Sequence, residues 1–98
     1  MERLTFTYPA RAAAVARRVH VGVVGSGDLE VLLEPSTDRD AHVAVTTSVD
    51  GFGTVWKHVL DRFFSRFDGA AAIEINDFGA TPGVVMLRLE QAVEELRA

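Results

Sequence analysis

The sequence predicts an α+β fold, a two-layer sandwich in which a mostly antiparallel sheet of about five strands carries two helices on one face. Three observations lead there. Apolar residues alternate with polar or small ones in several short stretches, which is the period of half-buried strands. From Thr54 to Phe67, and again after Pro82, the spacing widens to the three- and four-residue steps of an amphipathic helix. Glycine, proline and aspartate separate these stretches at short intervals, with no linker and no internal repeat between them. The order that results is β-β-β-β-α-β-α, in one domain over residues 1–98.

The first strand runs from Leu4 to Tyr8, where apolar residues alternate with threonine, and Pro9 ends it. Ala10 to Arg18 is rich in alanine and arginine and reads as a short helical turn or a loose connector. Its Arg11, Arg17 and Arg18 form the most basic part of the chain, either a phosphate-binding patch or a solvated connector. Val19, Val21 and Val23, then Leu29, Val31 and Leu33, alternate on either side of Gly25-Ser26-Gly27-Asp28. That arrangement predicts a hairpin with Ser26 at its tip, where the glycines permit positive φ and leave the hydroxyl without bulky neighbours. Pro35 ends the second arm, and Ser36 to Asp40 is a polar loop.

Ala41 to Ser48 is the next strand, with Val43, Val45 and Thr47 on one face. Two glycines, Gly51 and Gly53, break it. The helix that follows lays Val55, Trp56, Val59, Leu60, Phe63, Phe64 and Phe67 along one stripe, to be packed on the sheet. Thr54 or a neighbouring glycine is expected to cap its start, and Asp68-Gly69 to stop it. Ala70 to Asn76 is the last strand, with Ala71, Ile73 and Ile75 inward. Thr81-Pro82 has the form of an N-cap followed by proline at the first helical position. The C-terminal helix then aligns Val85, Leu89, Ala92, Val93 and Leu96, although Val84 to Leu89 is also apolar enough for a strand.

Composition narrows the function classes. The chain has 98 residues, 48% hydrophobic and 24% charged, the balance of a soluble globular domain. No apolar run is long enough to span a bilayer, and the start lacks the layout of a signal peptide, so a cytoplasmic location with no membrane partner is expected. A formal net charge of −4 disfavours nucleic acid as a partner. It suits protein partners with basic rims, which Asp28, Glu30 and Glu34 would meet around Ser26. There is no cysteine, hence no disulfide and no thiolate chemistry of the chain's own.

Several catalytic readings fail on spacing. Gly22, Gly25 and Gly27 reverse the dinucleotide fingerprint and precede a strand rather than a helix. Ser26 with His20, His42 or His58 lacks the strand-to-helix elbow of a hydrolase nucleophile. The three histidines have no ligand-pair spacing, so no metal site is signalled.

Three blocks carry a resemblance: Val24-Gly-Ser-Gly-Asp-Leu-Glu-Val-Leu-Leu-Glu-Pro35, Val45-Thr-Thr-Ser-Val49, and Ile75-Asn-Asp-Phe-Gly-Ala-Thr-Pro-Gly-Val-Val85 with Leu87-Arg-Leu-Glu-Gln91. Together they resemble the acyl carrier, or delta, subunits of bacterial malonate decarboxylase, which are similar in role to the carrier subunit of citrate lyase. The resemblance implies a non-catalytic carrier. Ser26 would hold 2′-(5″-phosphoribosyl)-3′-dephospho-coenzyme A through a phosphodiester, with Gly25, Gly27 and Asp28 completing the attachment motif. The arm's thiol would carry acetyl or malonyl as a thioester. The implied partners are the acyl-transferase and decarboxylase subunits, and a separate transferase that attaches the arm. A turn-stabilising role suits Asp28 as well. The alternatives are a non-catalytic interaction subunit without a prosthetic group and, further off, a small hydrolase using Ser26.

Overall fold

A computed structural model describes residues 1–98. The elements are β1 (Glu2–Pro9), β2 (Val19–Gly22), β3 (Leu29–Pro35), β4 (Asp40–Thr47), α1 (Gly53–Phe64), β5 (Ala71–Asp77) and α2 (Pro82–Arg97). The expected element order and α+β class hold. One five-stranded sheet runs β1-β4-β5-β3-β2, antiparallel throughout except for the parallel β4–β5 pair.

The register explains the core. Phe6, Val43, Ile73, Leu33 and Val19 lie side by side across the sheet, and Leu4, Val45, Ile75, Val31 and Val21 form the next row. Because side chains alternate along a strand, both rows face the same side, and the central members of each are buried. The helices cover that side. From α1 come Trp56, Leu60, Phe63 and Phe64, and from α2 Val85, Leu89 and Ala92. Burying each large side chain contributes roughly 1.5–3 kcal/mol. The other side of the sheet carries no helix and is mixed in character, with Thr5, Ala44, Glu74, Leu32 and His20 in one row. Tyr8 pins α1 to the edge of the sheet. Its ring stacks on Phe64 with centroids 4.2 Å apart, and its hydroxyl donates to Asp61 Oδ1 at 2.6 Å. Burial first, and then that carboxylate, push the phenol above its ordinary range.

Four local expectations change. β2 stops at Gly22, so Val23 and Val24 leave the strand and are 59% and 61% exposed. Gly22 has φ +87, and a Cβ there would stand 2.1 Å from the Leu29 carbonyl oxygen, so the alternation cannot continue past it. α1 ends at Phe64 rather than Phe67, where Ser65 Oγ donates back to the Arg62 carbonyl at 2.6 Å. Phe67 still stacks on Phe63 from outside the helix, at 5.2 Å. Its N-cap is Phe52, with no side-chain bond, so neither Thr54 nor a glycine caps it, and Val55 is exposed. The Thr81-Pro82 cap is as expected: the C-terminal element is helical from Pro82, with the Thr81 hydroxyl accepting from the Val84 N–H at 3.3 Å.

The connector from Ala10 to Arg18 forms no helix. It crosses from β1 at one edge of the sheet to β2 at the other, strapped to the approach to β5. The N–H groups of Arg11 and Ala12 donate to the Asp68 carbonyl, both at 3.0 Å, and Val15 donates to Ala70 at 3.1 Å. Its arginines do not form a joint patch. Arg17 reaches the Glu95 carbonyl and Arg18 the Glu34 carboxylate.

Candidate functional site

The C-terminal ends of β4 and β5 and the N-terminal end of β3 lie at one end of the sheet, so three loops gather there. They are Val23–Asp28, Ser48–Phe52 and Phe78–Thr81. Ser26 belongs to the first. The Asp28 N–H donates to the Gly25 carbonyl at 3.0 Å, closing a four-residue turn, and Gly27 in its third position has φ 75. That conformation is the one a type II turn demands and glycine supplies without strain.

The turn is anchored from behind. Gly27 N–H donates to the Phe78 carbonyl at 2.8 Å, and Phe78 N–H donates to the Asp28 carbonyl at 2.9 Å. These bonds extend the β3–β5 ladder beyond Leu29 and Asp77. The Asp28 carboxylate accepts from the Leu29 N–H at 2.7 Å and from Arg88 of α2 through Nε at 3.1 Å and Nη2 at 2.7 Å. The Arg88 hydrogen bonds foremost, and the Leu29 N–H after them, hold the Asp28 carboxyl below its usual range, and the same pairing raises Arg88. Phe78 is held in place by Asp77, which is buried. Its oxygens accept from the Thr47 hydroxyl at 2.8 Å, Ala80 N–H at 3.0 Å and Gly79 N–H at 3.3 Å.

In front, nothing holds the serine. Ser26 is exposed and takes no part in the hydrogen bonds that fix its neighbours. Next to it, a Cβ at Gly27 would meet no atom within 4 Å, so that side of the turn is open. The structure therefore places Gly25, Ser26, Gly27 and Asp28 in one hydrogen-bonded turn with an exposed serine.

The histidines are engaged elsewhere. His20 pairs with Glu30 at 2.9 Å, and His42 with Asp38 at 2.8 Å. His58 lies on the exposed side of α1. Asp38, Asp40 and His42 do converge within 4.8 Å, which spacing did not foretell. Asp38 is occupied there by the Asp40 N–H and the His42 ring, which order the loop into β4. The acidic rim also needs correcting. Glu30 is tied to His20 and Asn76, and Glu34 pairs with Arg18 at the opposite end of β3 from Ser26. The exposed neighbours of the serine are instead Val23 and Val24.

Arg88 and Phe78 escaped the sequence reading. Arg88 had a signal. It falls three residues after Val85 and four before Ala92, a charge set into the apolar stripe of a helix, where an acidic partner is needed.

Residues 16–96 match the family model described as malonate decarboxylase delta subunit (MdcD). The chain belongs to that family. It is 56% identical over 96 residues to the malonate decarboxylase acyl carrier protein of Pseudomonas paraeruginosa, covering 97% of this chain and 96% of the relative. The protein of the same name from Azotobacter vinelandii is 52% identical over 97 residues, covering 98% and 97%. The fold matches a chain in the crystal structure of a Pseudomonas malonate decarboxylase hetero-tetramer in complex with malonate. There the TM-score is 0.93 at 50% identity, over 98% of this chain and 99% of that one. Family membership thus rests on nearly the whole length, with the Ser26 turn inside the matched residues.

Proposed function

We propose that this chain is the acyl carrier subunit of malonate decarboxylase, and that Ser26 is where the prosthetic arm, 2′-(5″-phosphoribosyl)-3′-dephospho-coenzyme A, is joined. The observation that carries the reading is the contrast at the turn. Its backbone and Asp28 are held by Phe78, Leu29 and Arg88, while Ser26 is exposed and its hydroxyl enters none of these bonds. A residue that must enter the active site of a modifying enzyme and then bear a tether needs both properties. The bound arm would supply a thiol ester, which stabilises the negative charge left when carbon dioxide departs.

The chain's own residues do the positioning. Gly25 and Gly27 put no side chains beside the serine, and the Arg88–Asp28 pair holds the end of the turn on which it sits. The chain is cysteine-free, so the thiol must arrive with the arm. Tethering then presents the acyl group to the acyl-transferase and decarboxylase subunits at high effective concentration. No helix is long and apolar enough to cross a membrane, and a cytoplasmic site of action suits the role.

Co-expression with the arm-attaching transferase tests the assignment. Intact mass should show one adduct on the wild type and none on Ser26→Ala. That variant should keep its stability within about 0.5 kcal/mol, as an exposed turn position does, yet support no malonate turnover in the reconstituted complex. An adduct on Ser26→Ala, or turnover at the wild-type rate, would refute it. A wild type that supports turnover without any adduct would favour the interaction-subunit reading.

A further inference from the structure

An apolar cavity of about 270 Å³ opens at the same end of the molecule as Ser26. Its walls come from the N-terminal turns of both helices and from the loops after β4 and β5. Trp56, Val85 and Ala80 form the interior, while Val49, Phe52, Val55 and Pro82, all exposed, edge the mouth. Gly79, in its wall, is the chain neighbour of Phe78, whose carbonyl accepts from Gly27. Counting along that bonded path, the wall lies within about 14 Å of Ser26. A pantetheine-type arm is longer than that.

Attachment of an arm at Ser26 uses neither the open apolar mouth nor the space behind it. Exposed apolar residues clustered at one mouth mark a binding site rather than chance. We infer that this cavity receives the acetylated thiol end of the arm and does not receive the malonylated one. The inference rests on the carrier reading of Ser26.

The selectivity follows from the lining. Its sole ionisable residue is Asp77, whose oxygens already accept from Thr47, Gly79 and Ala80. An acetyl group is small, uncharged and apolar at its methyl end, so the cavity can enclose it. A malonyl group ends in a carboxylate, which would find no cation there and would face an acidic side chain. Burying an unpaired charge is strongly unfavourable. The acetyl thioester would thus be shielded from water between turnovers, and exchange to malonyl would release the arm outward, toward the decarboxylating subunits.

Trp56 is the chain's one tryptophan and lies in the cavity wall, so its fluorescence reports occupancy. The experiment compares the mass-verified unacylated, acetylated and malonylated carriers, and follows spontaneous hydrolysis of the acetyl thioester. The expected result is a Trp56 emission change on acetylation alone. An end docked nine-tenths of the time should hydrolyse about tenfold more slowly than free S-acetylpantetheine. Ala80→Leu, which fills the cavity, should abolish both effects, and Val55→Phe at the mouth provides a second, surface-placed block. Identical emission from the acetylated and malonylated forms, or hydrolysis as fast as the free thioester, overturns the inference and leaves the carrier reading intact. Absence of any adduct on Ser26 overturns both.

Discussion

Arg88 of α2 grips Asp28 of the serine turn with two guanidinium nitrogens, at 3.1 and 2.7 Å, across a separation of 60 residues. The pair ties the turn to the helix layer, whereas the bonds to Phe78 tie it to the sheet. Arg88→Met keeps the aliphatic stem and removes the grip. Amide exchange at Gly27 and Asp28 should then quicken by about tenfold, while core amides such as Leu33 and Ile75 keep their protection. Arm attachment should slow in parallel. Unchanged exchange would mean that the Phe78 bonds alone suffice.

The same pair sets a pH dependence. Asp28 has a folded-state pKa below its unfolded one, chiefly through Arg88. Such a carboxyl adds stability above its unfolded value, near pH 4 (about 3.9 for aspartate), and loses it as pH falls through the folded value. The turn should therefore be insensitive to pH from neutrality down to about 4 and loosen in stronger acid. Carbon NMR titration of Asp28 reads this directly. In Arg88→Met the midpoint should move up toward the ordinary aspartate value, and an unmoved midpoint would contradict the assignment.

Two glycines near Ser26 should respond differently to alanine. At Gly22 the new Cβ would sit 2.1 Å from Leu29 oxygen at φ +87, so strain and collision combine. A loss of about 3 kcal/mol or more is expected. At Gly27 the φ is +75 but no atom lies within 4 Å. The loss should stay near 1–2 kcal/mol, roughly the intrinsic left-handed penalty. Urea denaturation of both variants checks the order, and equal losses would show that the collision at Gly22 relaxes away.

Phe63 tests the helix layer. It is 5% exposed and touches the rings of both Phe64 and Phe67, so Phe63→Ala should lower stability by roughly 3–5 kcal/mol. A change below about 1 kcal/mol, the surface range, would mean that the layer rearranges to fill the gap.

The apolar rim tests docking. Val23 and Val24 flank the serine and are exposed, so replacing both by threonine should leave stability within about 0.5 kcal/mol. The KM of the arm-attaching transferase for this carrier should nevertheless rise. No change in KM would put the contact elsewhere on the molecule.

Most of the fold was legible because its signals are local. Alternation in Leu29 to Leu33 and Val43 to Thr47, the stripe from Trp56 to Phe64 and the Thr81-Pro82 cap each act within a few residues. What escaped was non-local or broke a period. The pairing of β1 with β4, and the parallel β4–β5 contact, have no marker in either strand alone. Val23 continued the alternation on paper, but the left-handed Gly22 turns the chain away before it. At the candidate site the turn was readable from Gly-Ser-Gly-Asp, while its restraints were not. Asp28 fitted a turn-stabilising residue, yet its partner lies on the last helix, and only the folded chain brings the two together.

The path of the chain also orders events in time. The serine turn is made from residues 25–28, but Phe78 and Arg88, which secure it, are synthesised long after it. A nascent chain that has left the ribosome only as far as α1 possesses the serine and none of its restraints. The turn takes its restrained shape only after β5 has paired with β3 and α2 has docked. With Ser26 as the proposed attachment point, joining of the arm would be coupled to completion of the fold, and a modifying enzyme that reads the turn's shape would discriminate against truncated or unfolded chains without inspecting any other part of them.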